Sequence, residues 1–257
     1  MSALNGKVAI VTGASLPNGI GIAIGKAYAK LGASLYLVAE GTREQLGTSR
    51  KECQSVATGD ARIEFGVHDL AQAGAAEAMV EEAHKRFGRV DILVNNAAIR
   101  IDKNLGDYTR ADFDKLIGVN LAAPFFACQA VIPIMRKQGG GRIINIASQV
   151  ARAALPQRAL YGISKAGVVR MTMSLAYELG RDGIMVNSIS PGPVRTQRAL
   201  NRMASQPELH KQLEATIPLG RSGEPSEIAE VAVFLATTNA TYLQGEDICV
   251  DGGYTIH

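Results

Sequence analysis

Along the chain, short continuous apolar runs alternate with longer stretches of helical spacing. The apolar runs lie at 7–12 (KVAIVT), 34–39 (SLYLVA), 61–67 (ARIEFGV), 90–94 (VDILV), 141–147 (GRIINIA), 184–190 (IMVNSIS) and 247–250 (DICV). Helical spacing predicts elements at 20–31, 42–57, 71–87, 109–137, 159–180 and 225–237. Strands that are apolar on both faces and separated by helices predict a parallel sheet covered on each side. Right-handed crossovers then give a doubly wound α/β sheet, with ligands gathering at the carboxyl ends of its strands. No linker-like shift in composition interrupts the pattern, so one domain over 1–257 is expected. The stretch 191–245 has no strand, and its polar, arginine-rich part around 193–216 is expected to form a lid over the substrate.

Composition narrows the function classes. A chain of 257 residues, 47% hydrophobic and 20% charged, is an ordinary globular composition able to bury a sizeable core. The absence of tryptophan and the low aromatic content disfavour a base-stacking surface, and a net charge of +3 without runs of like charge argues against nucleic acid as partner. Cys53, Cys128 and Cys249 are odd in number and widely scattered. They read as free thiols in a reducing compartment, and with four unpaired histidines no metal site is expected. No basic and apolar leader precedes the first strand and no apolar run approaches membrane length, so a cytoplasmic protein without membrane contact is expected.

The chemistry begins in TGASLPNGIG, residues 12–21, between the first strand and the first helix. Helix amides near Gly19–Gly21 would face an anionic ligand there, and the insertion Leu16-Pro17-Asn18 widens the turn. Glu40 ends the second strand, 19 residues after Gly21, where an acid can accept hydrogen bonds from a ribose diol. Asp69 follows the third strand. For either acid alone, a solvated loop carboxylate is the alternative. Tyr161 and Lys165 stand four apart on a helix, hence on one face. A cation within about 4–6 Å favours a phenolate and makes tyrosine a usable base, although this pairing also arises by chance in many helices. Ser148, thirteen residues earlier at the end of a strand, stands where a hydroxyl could bond a substrate oxygen beside Tyr161. Asn120 is a polar residue among apolar neighbours, with a helix-interior amide bonded to a carbonyl as its alternative.

Taken together, Thr12–Gly21, Asn95-Asn96-Ala97-Ala98, Asn120, Ser148, Tyr161-x-x-x-Lys165, Pro191-Gly192 and Val250-Asp251-Gly252-Gly253 resemble the short-chain dehydrogenase/reductase family over nearly the whole chain. The resemblance implies a Rossmann sheet of about seven strands in the order 3-2-1-4-5-6-7 and a nicotinamide cofactor. It implies Tyr161 as general acid/base, Ser148 polarising the substrate oxygen, and Lys165 binding the nicotinamide ribose and lowering the tyrosine pKa. Asn120 would hold a water relaying protons to Lys165. The cofactor would touch Gly13, Ser15, Gly19, Ile20 and Gly21 in the first turn, and Glu40, Asp69 and Leu70 after the second and third strands. Further contacts implied are Asn95 and Ala97 after the fourth strand and Pro191, Gly192, Val194 and Thr196 after the sixth, with Tyr161 and Lys165 shared with catalysis.

The chain departs from the family pattern in three places. Five residues separate Gly13 from Gly19 where the pattern has three, Ala98 replaces a usual glycine, and Ala39-Glu40 stand where cofactor choice is made. Glu40 would repel a 2′-phosphate and Ala14–Asn18 contains no basic residue, so NAD is expected ahead of NADP; Arg43 is the opposing cation.

Arg100, Arg152, Arg158, Arg195 and Arg198 surround the expected pocket, consistent with an anionic substrate or acidic carrier protein, or else with solvent-facing loops. The expected activity is interconversion of a small secondary alcohol and a ketone. A 3-oxoacyl-(carrier protein) reductase is the alternative, and a non-catalytic nucleotide-sensing or scaffold protein is an alternative of another class. The resemblance also implies a homo-oligomer, dimer or tetramer, formed through the helices 109–137 and 159–180 and the C-terminal strand region; residues 121–135, apolar almost all round, suit either deep core or such an interface.

Overall fold

Each apolar run becomes a strand in the computed structural model, which describes residues 2–15 and 17–256. The strands are β1 (Val8–Thr12), β2 (Ser34–Ala39), β3 (Ile63–Val67), β4 (Ile92–Asn95), β5 (Gly141–Ile146), β6 (Ile184–Pro191) and β7 (Asp247–Val250). They pair in parallel in the order β3-β2-β1-β4-β5-β6-β7. The order reverses between β1 and β4, and a crevice opens at the carboxyl ends of strands where this happens. Although the runs are continuously apolar, they retain a period of two. Ala9, Val11, Leu35, Leu37, Ile92 and Val94 enter the core beneath α1 (Ile20–Lys30) and α9 (Pro225–Thr237). Ile10, Tyr36, Val38, Leu93 and Ile143 enter the opposite core, beneath α3 (Ala75–Phe87) and α5 (Ala123–Gln138). Each Val, Leu or Ile among them contributes roughly 1.5–3 kcal/mol by leaving water.

Helix ends follow local chemistry. Thr42 and Gln45 form a reciprocal cap that starts α2 at Arg43, and α2 runs Arg43–Gln54. The expected start of α3 at 71 moves to Ala75. Asp69 accepts from the Ala71 amide and the Gln72 carboxamide, and Gly74 adopts φ +81°, so 69–74 is a turn. The long helix expected at 109–137 is interrupted: α4 (Arg110–Ile117) and α5 flank a wider π turn, Gly118–Ala122. Pro124 has no N–H for the Asn120 carbonyl four residues back, which favours widening there.

The whole segment Arg110–Gln138 spans 29 residues with a mean hydropathy of 1.7 over an 18-residue window. By length and composition alone it could cross a membrane, contrary to expectation. In the fold its Ala123, Ala127, Cys128, Val131 and Met135 stripe is buried in the second core. The strandless stretch 191–245 holds two helices not foreseen, α7 (Gln197–Ser205) and α8 (Pro207–Ala215), while α6 (Ala159–Leu179) matches its expected span. The three cysteines are unpaired.

Candidate active site at the carboxyl edge of the sheet

The first turn is drawn tightly onto β4. Thr12 Oγ1 accepts from the Asn96 and Ala97 amides at 2.9 and 3.0 Å, and Asn96 Nδ2 donates to the Thr12 and Gly13 carbonyls at 2.7 and 3.2 Å. Gly13 has φ +69°, and a Cβ on it would stand 2.9 Å from Ala97 Cα; one on Gly21 would stand 2.5 Å from the Gly13 carbonyl oxygen. Neither position tolerates a side chain. Gly19 precedes α1 without a side-chain cap, and the first turn of α1, opened by Ile20, contains no acidic residue. The helix N-terminus therefore keeps its attraction for an anion. Of the inserted residues, Leu16 lies outside the described residues, and Asn18 donates to the Arg195 carbonyl at 2.7 Å, tying the widened loop to the segment before α7.

The other expected cofactor contacts fall along the same edge, in different states. Ser15 is brought against the end of β2, its Cβ 3.3 Å from where a Cβ on Gly41 would stand, beside the exposed Glu40. Asp69 is occupied by Gln72 and the Ala71 amide, which hold its carboxyl below the usual range, and Leu70 is buried next to it. Asn95 turns inward: its Nδ2 donates to Asn145 Oδ1 at 2.9 Å, and Asn145 donates on to Thr172. Ala97 closes the turn through its backbone. Pro191 ends β6, and Gly192 follows it so close to Asp251 that a Cβ on Gly192 would lie 2.6 Å from the Asp251 Cα. Val194 bridges to Gly223, and Thr196 caps α7 by accepting from the Ala199 amide.

Ser148 follows β5 and opens a short 3-10 turn, Gln149–Ala151, against which the first turns of α6 pack. This brings the Ser148 hydroxyl, which accepts from the Val150 amide, near enough to the Tyr161 phenol to favour its ionised form. Lys165 is 2% exposed; its Nζ donates to the Ile146 carbonyl at 2.7 Å and lies 5.9 Å from the Tyr161 ring centre. Burial brings the Lys165 ammonium down to about 8. Burial also raises the Tyr161 phenol above its ordinary value; the groups opposing this are led by Arg100, followed by the Ser148 hydroxyl, Arg158 and Arg198. The cations acting on the phenol are these arginines, which spacing along α6 could not reveal; the expected lowering by Lys165 is not among the causes, and burial makes the net shift upward. Asn120 is fully buried in the π turn. Its Oδ1 accepts from the Ile99 amide at 2.8 Å, and its Nδ2 donates to the Ile99 carbonyl and to Ser164 Oγ at 2.9 and 3.1 Å. Gln149 Oε1 is buried beside Gly192 with no donor among the described residues.

The arginines divide into two groups. Arg152 bonds Asp247, and Arg195 lies between Glu214 and Glu224, so both are diverted from the phenol. Arg100, Arg158 and Arg198 act on Tyr161. Arg202 joins them, since Arg100, Arg158 and Arg202 all pair with Asp102, at 3.1, 2.8 and 3.1 Å. Asn96, within the Asn95–Ala98 motif, clasps the first turn, whereas the contact of Asp102 with Arg202 spans 100 positions and leaves no signal in sequence.

A glycine cradle that any Cβ would fill, an uncapped helix N-terminus and a buried ammonium fit a dinucleotide. A family model described as enoyl-(acyl carrier protein) reductase matches residues 13–255. The chain belongs to the short-chain dehydrogenase/reductase family. Among curated members it is 40% identical to a D-threitol dehydrogenase of Mycolicibacterium smegmatis, over 98% of this chain and 94% of that protein. It is likewise 40% identical to a 3alpha-hydroxysteroid dehydrogenase of Mediterraneibacter gnavus, over 97% of each, and 36% identical to a 3-oxoacyl-[acyl-carrier-protein] reductase of Thermotoga maritima, over 98% and 99%. A crystal structure from Beutenbergia cavernae, described as an NAD(P)-dependent gluconate 5-dehydrogenase with NADP bound at low occupancy, superposes with a TM-score of 0.90 at 33% identity over 99% and 98% of the two chains. As a short-chain dehydrogenase/reductase, the chain is an NAD(P)-dependent oxidoreductase acting on an alcohol or ketone of small-molecule size.

Proposed function

We propose that this oxidoreductase interconverts a secondary alcohol and a ketone with Tyr161 as general acid/base and with NAD as the preferred cofactor. One observation carries the reading: the Tyr161 phenol feels the Ser148 hydroxyl and stands one helical turn from the buried Lys165 ammonium, 5.9 Å from its ring centre. In oxidation the Tyr161 oxygen, as phenolate, takes the carbinol proton; in reduction the phenol returns a proton to the carbonyl oxygen. Ser148 donates a hydrogen bond to that same oxygen. A bound nicotinamide cofactor supplies the hydride acceptor or donor.

The first turn, through Gly13, Ser15, Gly19, Ile20 and Gly21, would hold the cofactor's pyrophosphate, Glu40 its adenosine ribose and Lys165 its nicotinamide ribose. Asn120 spends its carboxamide on Ile99 and Ser164. A water relay to Lys165 would therefore start from its backbone carbonyl, which Pro124 cannot reach with a donor. Residues 193–216, with α7 and α8, would form the lid.

Changing Tyr161 to Phe should lower turnover by roughly 10²–10⁴ and leave NADH affinity unchanged, since the ring stays in place. Full turnover in that variant would overturn the mechanism, and a wild type that binds NADH but turns over no alcohol or ketone would favour the scaffold alternative. For the cofactor, support comes from Glu40 beside Ser15 and from the lack of a basic side chain in Ala14–Asn18. Titrations with NADH and NADPH test this, and tighter NADPH binding would reverse the preference. A 3-oxoacyl reductase would use the same residues and differs only in the substrate presented to Tyr161.

A dimer or tetramer is supported by Phe125 and Phe126 on α5 and by Ile163, Met173 and Tyr177 on α6, all exposed. Sedimentation of the purified protein tests it. Unpaired cysteines support a reducing, cytoplasmic location. The wall facing Tyr161 is cationic, which favours an anionic substrate.

A further inference from the structure

A cleft of about 390 Å³ is lined by Arg100 and Arg198, whose charges act on the Tyr161 phenol, and by Asp102, Lys115 and Arg202. Arg158 stands against the same Asp102. Four cations thus line a cleft that holds one carboxylate, with a fifth next to it. Asp102 brings two oxygens to three guanidinium groups with about five N–H donors apiece. Among the described residues, Asp102 is the single carboxylate within ion-pair distance of Arg100, Arg158 and Arg202. Positive charge held together without matching negative charge is costly where water is scarce, and functional sites are where such costs persist.

We infer that Arg100, Arg158 and Arg202 bind an anionic group of the substrate, a carboxylate, sulfonate or phosphate carried on the same small molecule as the reacting carbinol. The inference rests on the oxidoreductase reading and names its substrate class. Forked guanidinium groups match such oxyanions with paired N–H donors. The cofactor's own phosphates are an unsuitable occupant, because no residue of the glycine turn 13–21 lines this cleft. An acidic carrier protein fits poorly too. Its surface would need cations on the rim, yet Arg100 and Arg158 are recessed, with side chains 29% and 20% exposed. Arg152, an exposed arginine, and Arg195 are already paired with acids. Burial together with neighbouring guanidinium charge pulls both Arg100 and Arg158 below their usual values, the electrostatic mark of a site short of anions. Arg202 reaches Asp102 from α7, the first helix of the proposed lid, so an anion in the cleft would hold that helix over the site.

Calorimetric titration of the protein with saturating NADH, using short oxo-acids such as 4-oxopentanoate and the matching neutral amides, tests the inference independently of turnover. At least one acid should bind roughly 10- to 100-fold tighter than its amide, and the advantage should fall toward parity in Arg100→Gln, Arg158→Gln and Arg202→Gln. Arg152→Gln should retain it. Equal binding of acid and amide, binding of neither, or an acid preference untouched by all three substitutions would overturn the inference, as would reduction of an oxoacyl group only when it is attached to an acidic carrier protein. These failures are separable from failure of the underlying reading. Neutral ketones reduced as fast as acids would remove the anion site and leave the oxidoreductase standing, whereas full turnover by Tyr161→Phe would remove the mechanism whatever the acids do.

Discussion

Replacing Asn120 with Ala removes a carboxamide that makes three hydrogen bonds in a water-free position: one from the Ile99 amide, one to the Ile99 carbonyl and one to Ser164 Oγ. Ser164 keeps its bond to the Tyr161 carbonyl, but both polar groups of Ile99 lose their side-chain partner. At about 1 kcal/mol net for each bond lost, stability should fall by about 3 kcal/mol. For a domain of this size that corresponds to a drop in Tm of roughly 6–12 °C. The loop 99–102, which carries Arg100 and Asp102, would also lose its anchor to α6. In molecules that remain folded, kcat/KM should therefore decline by up to about 100-fold through misplacement alone. Urea unfolding followed by circular dichroism measures the first quantity, and steady-state kinetics below the unfolding transition measures the second. A stability change under about 1 kcal/mol would refute the reasoning, since it would mean that water or a shifted backbone replaces all three bonds at little cost. Lost turnover with native stability would mean that Asn120 acts through the chemistry instead of through position.

Three further outcomes follow from the same geometry. Gly21→Ala places a methyl group 2.5 Å from the Gly13 carbonyl oxygen, so stability should fall by about 1–3 kcal/mol and NADH affinity, read by fluorescence titration, should weaken; unchanged affinity would mean that the first turn does not hold the cofactor. Lys165 titrates at about 8 when folded and near its ordinary 10.5 when unfolded, so folding is penalised while the lysine is charged and the penalty is relieved as pH rises. Cofactor-free protein should gain about 2 kcal/mol in unfolding free energy between pH 8 and 10 from this group, and Lys165→Met should lose that gain in the same urea titrations. Asp247 is buried and accepts from Ser188, Ser190 and Arg152. Asp247→Ala should cost roughly 2–4 kcal/mol while the folded fraction keeps its kcat, because Asp247 is not among the groups acting on the Tyr161 phenol.

How far the site could be foreseen differs element by element. Tyr161 and Lys165 were placed on one face by spacing along a single helix, and Ser148 by its position at the end of a strand. The cofactor turn was visible because Gly13 and Gly21 flank a strand-to-helix junction, although the residue that clasps it, Asn96, declares itself only through bonds to Thr12 and Gly13. Helices α7 and α8 escaped notice because each is only nine residues long and buries no residue, so neither carries a stripe long enough to stand out. The break in the helix at 118–122 was hidden because its flanks have unbroken helical spacing; Pro124 was the one local clue.

Determined by the sequence alone were the features that repeat over a few residues: the alternation of strand and helix, the continuous apolar runs that mark strands covered on both faces, and the constellation that identifies the family. Hydrophobic burial enforces these locally, because each misplaced apolar side chain costs about as much as a large fraction of net stability. Only the tertiary structure decided which charges meet. Five arginines looked alike along the chain, yet Arg152 and Arg195 are taken up by acids, while Arg100, Arg158 and Arg198 face Tyr161 and Arg202 arrives from 100 residues beyond Asp102. Strand order and the folding-back of α7 bring these groups together, and charge interactions depend on distance in space, to which spacing along the chain is blind.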